Sequence, residues 1–173
     1  MKRPLLALVG TAIGVRLISA LSLMVVAQDG ARNLRMGHLI LDGRWHEALT
    51  LYPVTHPFYP MLIALGEALT GSPLLWACLM SAVLGGLAVL PLYHLAKNGW
   101  NERVALISGL LYAFLPAVVE LHCDAMLEGT FFCLFFSSMA LAWSAVETKA
   151  WPRAILAGVC AAAAWLTRPE GAY

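Results

Sequence analysis

Charged residues are scarce in this sequence of 173 residues, because aspartate, glutamate, lysine and arginine together make up only 12% of it. A soluble domain has about 25% charged residues. Hydrophobic residues make up 61%, which leaves too few polar side chains to cover a globule in water, so lipid is the expected solvent. The formal net charge of +1 argues against a nucleic-acid partner, which would favour a basic stripe.

Cysteine is also rare, and the four residues show no C-x-x-C spacing. Cys78, Cys133 and Cys160 lie inside apolar runs, where cysteine behaves as a small core residue. The cysteines therefore indicate no particular redox compartment.

Long apolar runs are abundant. Five of them approach or reach the roughly 20 residues that span a bilayer, at 4–27, 73–96, 104–119, 126–146 and 154–167. Together they predict an all-α, polytopic transmembrane helix bundle of about five spans. The first run follows a basic N-terminus, but it is longer than the apolar part of a signal peptide and contains Arg16. An uncleaved first span is therefore preferred over a cleaved signal.

A longer polar insert, residues 28–72, separates the first two runs. Residues 31–45 mix cationic and apolar side chains as an interfacial helix does. Residues 52–69 open with three prolines, which fix a turn, and then become apolar and helical. The insert is therefore predicted to form interfacial helices that hold Asp29 and His56 near the lipid headgroups.

Lysine and arginine predict the orientation of the spans, because they are enriched in cytoplasmic loops. With five spans, six of these residues share the side of the N-terminus, namely Lys2, Arg3, Lys97, Arg103, Lys149 and Arg153. We therefore expect an integral protein of a bacterial or archaeal plasma membrane, with a cytoplasmic N-terminus. All acidic residues except Glu102 and Glu147 then face outward, either as a solvated surface or as an acidic site.

Two carboxylates stand at the start of the fourth run, in the stretch HCDAMLEGTFF at 122–132. In a helix, Asp124 and Glu128 would share one face. A charge near hydrocarbon is costly, about 2.5–3.5 kcal/mol at the bilayer centre, and so marks a functional site by default. In the alternative interpretation, Asp124 only caps the fourth span and Glu128 lies in its first turn, where the helix dipole favours it.

Three further charged residues, Asp29, Arg168 and Arg16, stand where they could react with or bind a ligand. Asp29 follows the first span and could act as a general base, or it could be a solvated helix-end residue. Arg168 would be a cation at the depth of lipid phosphates, or it could pair with Glu170 as an interfacial anchor. Arg16, in mid-span, needs a buried acid, a backbone carbonyl or a path to the interface.

A metal site is the least specific of these possibilities. His38, His46 and His56 lie in one insert and could bind a metal together with carboxylates from another loop. They have no H-E-x-x-H or comparable spacing. A divalent metal is therefore possible, but the sequence does not require one.

Taken in order, several short motifs resemble the N-terminal part of the polytopic GT-C glycosyltransferases of the protein-mannosyltransferase and aminoarabinose-transferase type (glycosyltransferase family 39 and relatives). The first is Asp29, placed just after the first span, and the ordered set is more specific than any single piece. The others are GRW at 43–45, HPFYPMLIAL at 56–65, SAVLGGLAVLPLY at 81–93, ALISGLLYAFLP at 105–116, CDAMLEGTFF at 123–132 and WLTRPEG at 165–171.

The resemblance implies transfer of a sugar from a polyprenyl-phosphate carrier to an extracytoplasmic protein, lipid or glycan acceptor, with inversion. It implies that Asp29 is the general base and that Glu128 is the second acid lining the same cavity. Asp124 would support Glu128 in substrate binding, and His56 and Tyr59 of the HP motif would contact substrate. Arg168 would lie near the phosphate of the carrier, an assignment that follows from its charge and depth.

Two other classes of protein stay open at this point. A transporter or flippase-like protein for a lipid or solute would also use intramembrane acids on helices rich in small residues. A non-catalytic membrane scaffold would tolerate replacement of Asp29, Asp124 and Glu128 without loss of function. The resemblance further leads us to expect that residues 1–173 form the N-terminal part of a transmembrane domain that is truncated at its C-terminus.

Overall fold

The computed structural model describes residues 2–22, 26–53 and 55–168, and in these ranges the chain is helical and contains no strand. The predicted all-α class is confirmed for the described part. The helices are α1 (Lys2–Ala20), α2 (Gln28–Leu41), α3 (Trp45–Leu51), α4 (Phe58–Thr70), α5 (Pro73–Leu87), α6 (Val89–Gly99), α7 (Glu102–Phe114), α8 (Pro116–Leu121), α9 (Glu128–Thr148) and α10 (Trp151–Thr167).

Two helical stretches are long and apolar enough to cross a membrane, Pro73–Gly99 and Glu128–Thr148. They correspond to the predicted second and fourth spans. The helices at Pro4–Ala20, Phe58–Thr70 and Trp151–Thr167 are apolar but shorter. An arrangement of about five spans therefore stays a prediction, as does the orientation of the chain across the membrane.

The predicted third span, 104–119, was wrong as one continuous helix. It is divided between α7, which ends at Phe114, and α8, which begins at Pro116. Leu115 between them is extended, with φ −61° and ψ 115°, because the proline ring disfavours the α-conformation of the preceding residue. The predicted first span was also too long, since α1 ends at Ala20 and α2 already begins at Gln28.

Close contacts between helices depend on glycines in α5 and α9. A Cβ atom added to Gly86 of α5 would lie 2.8 Å from the Cα atom of Ile13 in α1. The same atom added to Gly129 of α9 would collide with the backbone carbonyl of Ser81 in α5. In lipid, such close backbone approach is a main source of helix association.

Helices α9 and α10 form an antiparallel pair, the most extensive contact between two helices in the described part. A tight turn at Lys149 and Ala150 joins them, and Lys149 has the left-handed conformation, with φ 52°. The first residue of α9 and the last residue of α10 therefore lie at the same end of the pair, which is where the candidate site is found.

The polar insert is compact and helical, as predicted, and consists of α2, α3 and α4. Its small core contains Met36, Leu39, Ile40, Ala48 and Ala64. On the surface, Nδ1 of His38 in α2 lies 2.8 Å from Oε1 of Glu67 in α4. This ion pair links the two helices outside the core.

The ion pair between His38 and Glu67 predicts how stability depends on pH. The hydrogen bond that His38 donates to the Glu67 carboxylate raises the pKa of His38 above its ordinary value of 6.5. A raised pKa in the folded state means that the contribution is fully present below about pH 6 and is lost as pH rises through the folded pKa. We therefore expect the thermal stability of Glu67→Gln in detergent to fall below that of the parent protein at acid pH, with a gap that closes at alkaline pH.

Substitution of the exposed His46 on α3 provides the control. His46→Gln should follow the pH dependence of the parent protein. A gap between the parent and Glu67→Gln that stays constant from acid to alkaline pH would show that His38 does not titrate against Glu67.

Candidate active site

A cavity of about 250 Å³ lies where the beginnings of α2 and α9 meet the end of α10 and the turn before α4. The cavity is partly open. Acidic, basic and amide side chains line it together with a few apolar ones. It is lined by Asp29, Arg32, Asn33, Thr55, His56, Met126, Leu127, Glu128, Thr167 and Arg168. Four of the six residues predicted from the sequence, Asp29, His56, Glu128 and Arg168, therefore meet at one place.

Glu128 and Arg168 form an ion pair in the wall of the cavity. Nη1 of Arg168 lies 3.2 Å from Oε1 of Glu128. The Glu128 side chain is 12% exposed and that of Arg168 is 39% exposed, so the guanidinium group reaches the cavity while the carboxylate lies deeper. The alternative partner of Arg168, Glu170, lies outside the described residues.

Asp29 also lines the cavity, from the first turn of α2. Oδ1 of Asp29 lies 3.3 Å from Nη1 of Arg32, one helical turn further along. The side chain of Asp29 is 62% exposed, so a substrate hydroxyl can reach it. Two pairs of an acid and an arginine thus face the same small volume.

His56 lies in the turn that precedes α4 and closes a third side of the cavity. Its ring packs edge-on against Trp165 of α10, with 5.9 Å between the ring centroids. This contact holds the turn of the insert against the end of α10 that carries Arg168.

Asp124 is not among the residues that line the cavity, and its role in substrate binding stays a prediction. Helix α9 begins only at Glu128, so the two carboxylates do not share a helix face. The Asp124 side chain is buried, and its Oδ2 accepts a hydrogen bond from the backbone N–H of Ala27, at 2.7 Å. It therefore caps the start of α2, the helix that carries Asp29, and not the predicted fourth span.

Tyr59 is also absent from the cavity wall. It is completely buried and packs with Ile63, Ala77 and Ala125 in a core beneath the site. Its role as a substrate-binding residue therefore stays a prediction that the geometry does not support.

Six lining residues were missed by sequence reasoning: the polar Arg32, Asn33, Thr55 and Thr167, and the apolar Met126 and Leu127. Arg32 and Asn33 follow Asp29 by three and four positions, so helical periodicity from Asp29 would have found them. Asn33 lies at the cavity and is buried, with only 2% of the residue exposed. Its Nδ2 atom has no hydrogen-bond partner among the described residues.

The three histidines of the insert do not come together. His38 pairs with Glu67, His46 is exposed on α3, and His56 lies at the cavity. Within the described ranges, no three histidine, cysteine, aspartate or glutamate side chains are grouped so that they could hold a metal ion.

In the described part of the chain, apolar helices, two of them of membrane length, are thus combined with a cavity that holds acids, arginines and a histidine. Residues 53–173 match the family of dolichyl-phosphate-mannose-protein mannosyltransferases, and the chain belongs to this family. No curated protein and no solved structure matches the chain significantly. The predicted resemblance to GT-C glycosyltransferases is confirmed.

Family membership identifies the chain as a membrane glycosyltransferase of the mannosyltransferase type. It favours transfer over the transporter interpretation. The matched segment contains His56, Glu128 and Arg168, whereas Asp29 precedes it. The assignment of Asp29 to the site therefore depends on the structure and on the motif resemblance, and not on the family match.

Proposed function

We propose that this chain transfers a hexosyl group from a polyprenyl-phosphate carrier to a hydroxyl group of an extracytoplasmic acceptor, with inversion at the anomeric carbon. The observation that carries the proposal is the convergence of Asp29, His56, Glu128 and Arg168 on one cavity at the end of apolar helices. A lipid-linked donor fits this position, since its tail can remain in the membrane while its phosphate and sugar enter the cavity.

Asp29 is proposed as the general base. In a single displacement, the acceptor oxygen attacks the anomeric carbon from the face opposite the phosphate. Asp29 takes the hydroxyl proton, the bond between the anomeric carbon and the phosphate oxygen breaks, and polyprenyl phosphate leaves with the electron pair. The exposed carboxylate of Asp29 is accessible to an acceptor that enters from outside, and a positioned base of this kind typically contributes 10²–10⁴-fold to the rate.

Arg168 is proposed to bind the phosphate of the donor. Its guanidinium can donate two parallel hydrogen bonds to phosphate, which a lysine cannot do. The deeper Glu128 holds one of its nitrogens, Nη1, and so orients the group toward the cavity. The leaving phosphate gains negative charge as the bond breaks, and a fixed cation beside it stabilises that change. His56 is proposed to contact the sugar or the acceptor.

A donor assay tests the proposal. Membranes that contain the protein are incubated with a polyprenyl-phosphate-linked mannose or, separately, with a nucleotide-linked mannose. We expect transfer from the lipid-linked donor only, and a product whose anomeric configuration, read by NMR, is opposite to that of the donor. Transfer from the nucleotide sugar, or retention of configuration, would contradict the proposal. Movement of the intact donor across vesicles without transfer would support the transporter alternative.

A further inference from the structure

A buried arginine lies at the centre of the helices, away from the cavity. Arg16 of α1 is completely buried. Its Nη1 donates to the carbonyl oxygen of Ala12 at 2.9 Å and its Nη2 to that of Tyr112 at 3.0 Å. Its Nε donates to Nδ1 of His122 at 3.0 Å. Of the three partners that the sequence left open, the structure uses backbone carbonyls, together with a histidine.

His122 is buried as deeply as Arg16, and the hydrogen bond between them defines its state. Since Nδ1 accepts a hydrogen bond from Arg16, the imidazole is neutral and carries its proton on Nε2. The ring lies against Gly85 of α5, where an added Cβ atom would come within 2.6 Å of Nδ1. It also packs against the rings of Tyr112 and Phe132. His122 is therefore held from α1, α5, α7 and α9 at once.

His122 is the first residue of the loop that leads into Glu128. Three of the next residues contact other segments. The Cys123 thiol lies 2.8 Å from the carbonyl oxygen of Val119 and 3.3 Å from that of Arg16, and its one hydrogen can be donated to either. Asp124 accepts a hydrogen bond from the backbone N–H of Ala27, and the carbonyl of Met126 accepts one from the Ser81 hydroxyl. We name residues 122–127 the anchor loop. It is fixed to α1 and α5 at its ends and to the start of α2 through Asp124.

We propose that Arg16 and His122 are positioning residues for the reaction, which act by fixing the anchor loop. Neither residue is among those that line the cavity. The anchor loop joins the helix that carries Asp29 to the helix that begins at Glu128, so its position sets the separation of the two acids. The proposal rests on the proposed function, because it assigns to Arg16 and His122 the task of keeping the base and the phosphate-binding pair in register.

A purely structural role would have different consequences. Loss of a partner from a buried charge commonly destabilises a protein as a whole. A positioning role predicts that the protein stays folded and inserted, while the chemical step slows. A misplacement of about 1 Å in an active site can cost roughly 100-fold in rate. The two roles are therefore separated by measuring abundance, kcat and the KM for the donor in the same membranes.

The first test compares His122→Leu with His122→Asn. Leucine removes the acceptor for Arg16, whereas the amide oxygen of asparagine takes the place of Nδ1. We expect His122→Leu to lower kcat roughly 10- to 100-fold with little change in the KM for the donor. His122→Asn should remain close to the parent protein. Equal loss in both variants, or unchanged kcat in His122→Leu, would overturn the proposal.

The second test moves His122 without removing any polar group. In Gly85→Ala the new methyl group meets the imidazole, so kcat should fall as in His122→Leu. Gly14→Ala on α1 is the matched control, since an added Cβ atom there meets nothing within 4 Å. If Gly85→Ala and His122→Leu both fail to accumulate as folded protein, Arg16 and His122 are structural residues only, and the proposal is wrong.

A third measurement does not depend on sugar transfer. Cys123 is buried, at 3% exposure, in the anchor loop. In protein whose other three cysteines are replaced by alanine, a maleimide should label Cys123 faster in His122→Leu and Gly85→Ala than in the parent, His122→Asn or Gly14→Ala. Equal labelling rates would overturn the proposal. If the parent transfers no sugar but labelling follows this order, the proposed function fails while the fixing of the anchor loop stands.

Discussion

Replacement of Asp29 by asparagine is expected to abolish most sugar transfer, with a loss of roughly 100- to 10,000-fold in kcat. The amide is nearly the same size as the carboxylate but cannot take the proton of the acceptor hydroxyl. The side chain of Asp29 is largely exposed and its ion pair is with the neighbouring turn of the same helix. Folding and membrane insertion should therefore be unaffected, and the loss should appear in kcat at normal protein abundance.

Asp42 provides a matched control for this experiment. It directly follows the same helix, at its C-terminal end, and is likewise exposed. Asp42→Asn should retain the activity of the parent protein in the same membranes, measured as radiolabelled mannose transferred per amount of protein. Normal turnover by well-expressed Asp29→Asn would show that the base lies elsewhere. This test matters because Asp29 precedes the segment that matches the family.

The general character of the fold was predictable from composition and periodicity. Scarce charge and long apolar runs predicted helices in lipid, and the starts of α5, α9 and α10 fall within a few residues of the predicted runs. These features are local, since each depends on the residues of one segment. The breaks were less predictable from hydropathy alone: Pro116 divides the third run, although its restriction of Leu115 is itself a local effect that the sequence contains.

The candidate site was predictable only in part. The ordered motifs indicated Asp29, His56, Glu128 and Arg168, and the structure brings these four together. The hydrogen bond from Ala27 to Asp124 was not predictable, because it joins residues 97 positions apart. No spacing rule within one helix can reveal such a partner. The burial of Tyr59 was unpredictable for the same reason, since it depends on contacts between three segments.

The contact between Arg16 and His122 shows the same limit more clearly. Sequence reasoning considered Arg16 only within the first span and did not connect it with His122. In the structure they are hydrogen-bonded across 106 positions. A neutral imidazole is an unusual hydrogen-bond partner for a buried cation. The hydropathy of the sequence does not reveal such a pair. Helix packing therefore had to be known before the anchor loop could be connected with the site.

Replacement of Arg168 by glutamine is the second large effect that we expect. A hydrogen bond to a charged group is worth about 1.5–3 kcal/mol, so loss of the guanidinium should raise the KM for the lipid-linked donor roughly 10- to 100-fold. It should also lower kcat, because the same cation stabilises the charge that the phosphate gains as the bond breaks. Arg168→Lys should give an intermediate KM, because lysine keeps the charge but cannot donate two parallel hydrogen bonds to the phosphate. Arg153→Gln is the control, since Arg153 lies at the opposite end of the same helix and bonds Ser144.

The ion pair makes a sharper version of this experiment possible. If Glu128 acts by orienting Arg168, then Glu128→Gln should weaken donor binding, and adding it to Arg168→Gln should cost little more. Residues that act through one contact are non-additive in this way. Independent losses that multiply in the double variant would mean that Glu128 contacts the substrate by itself. An unchanged KM in Arg168→Gln would remove Arg168 from the phosphate site. Arg32, which also lines the cavity and pairs with Asp29 on the same helix, would then be the next cation to replace.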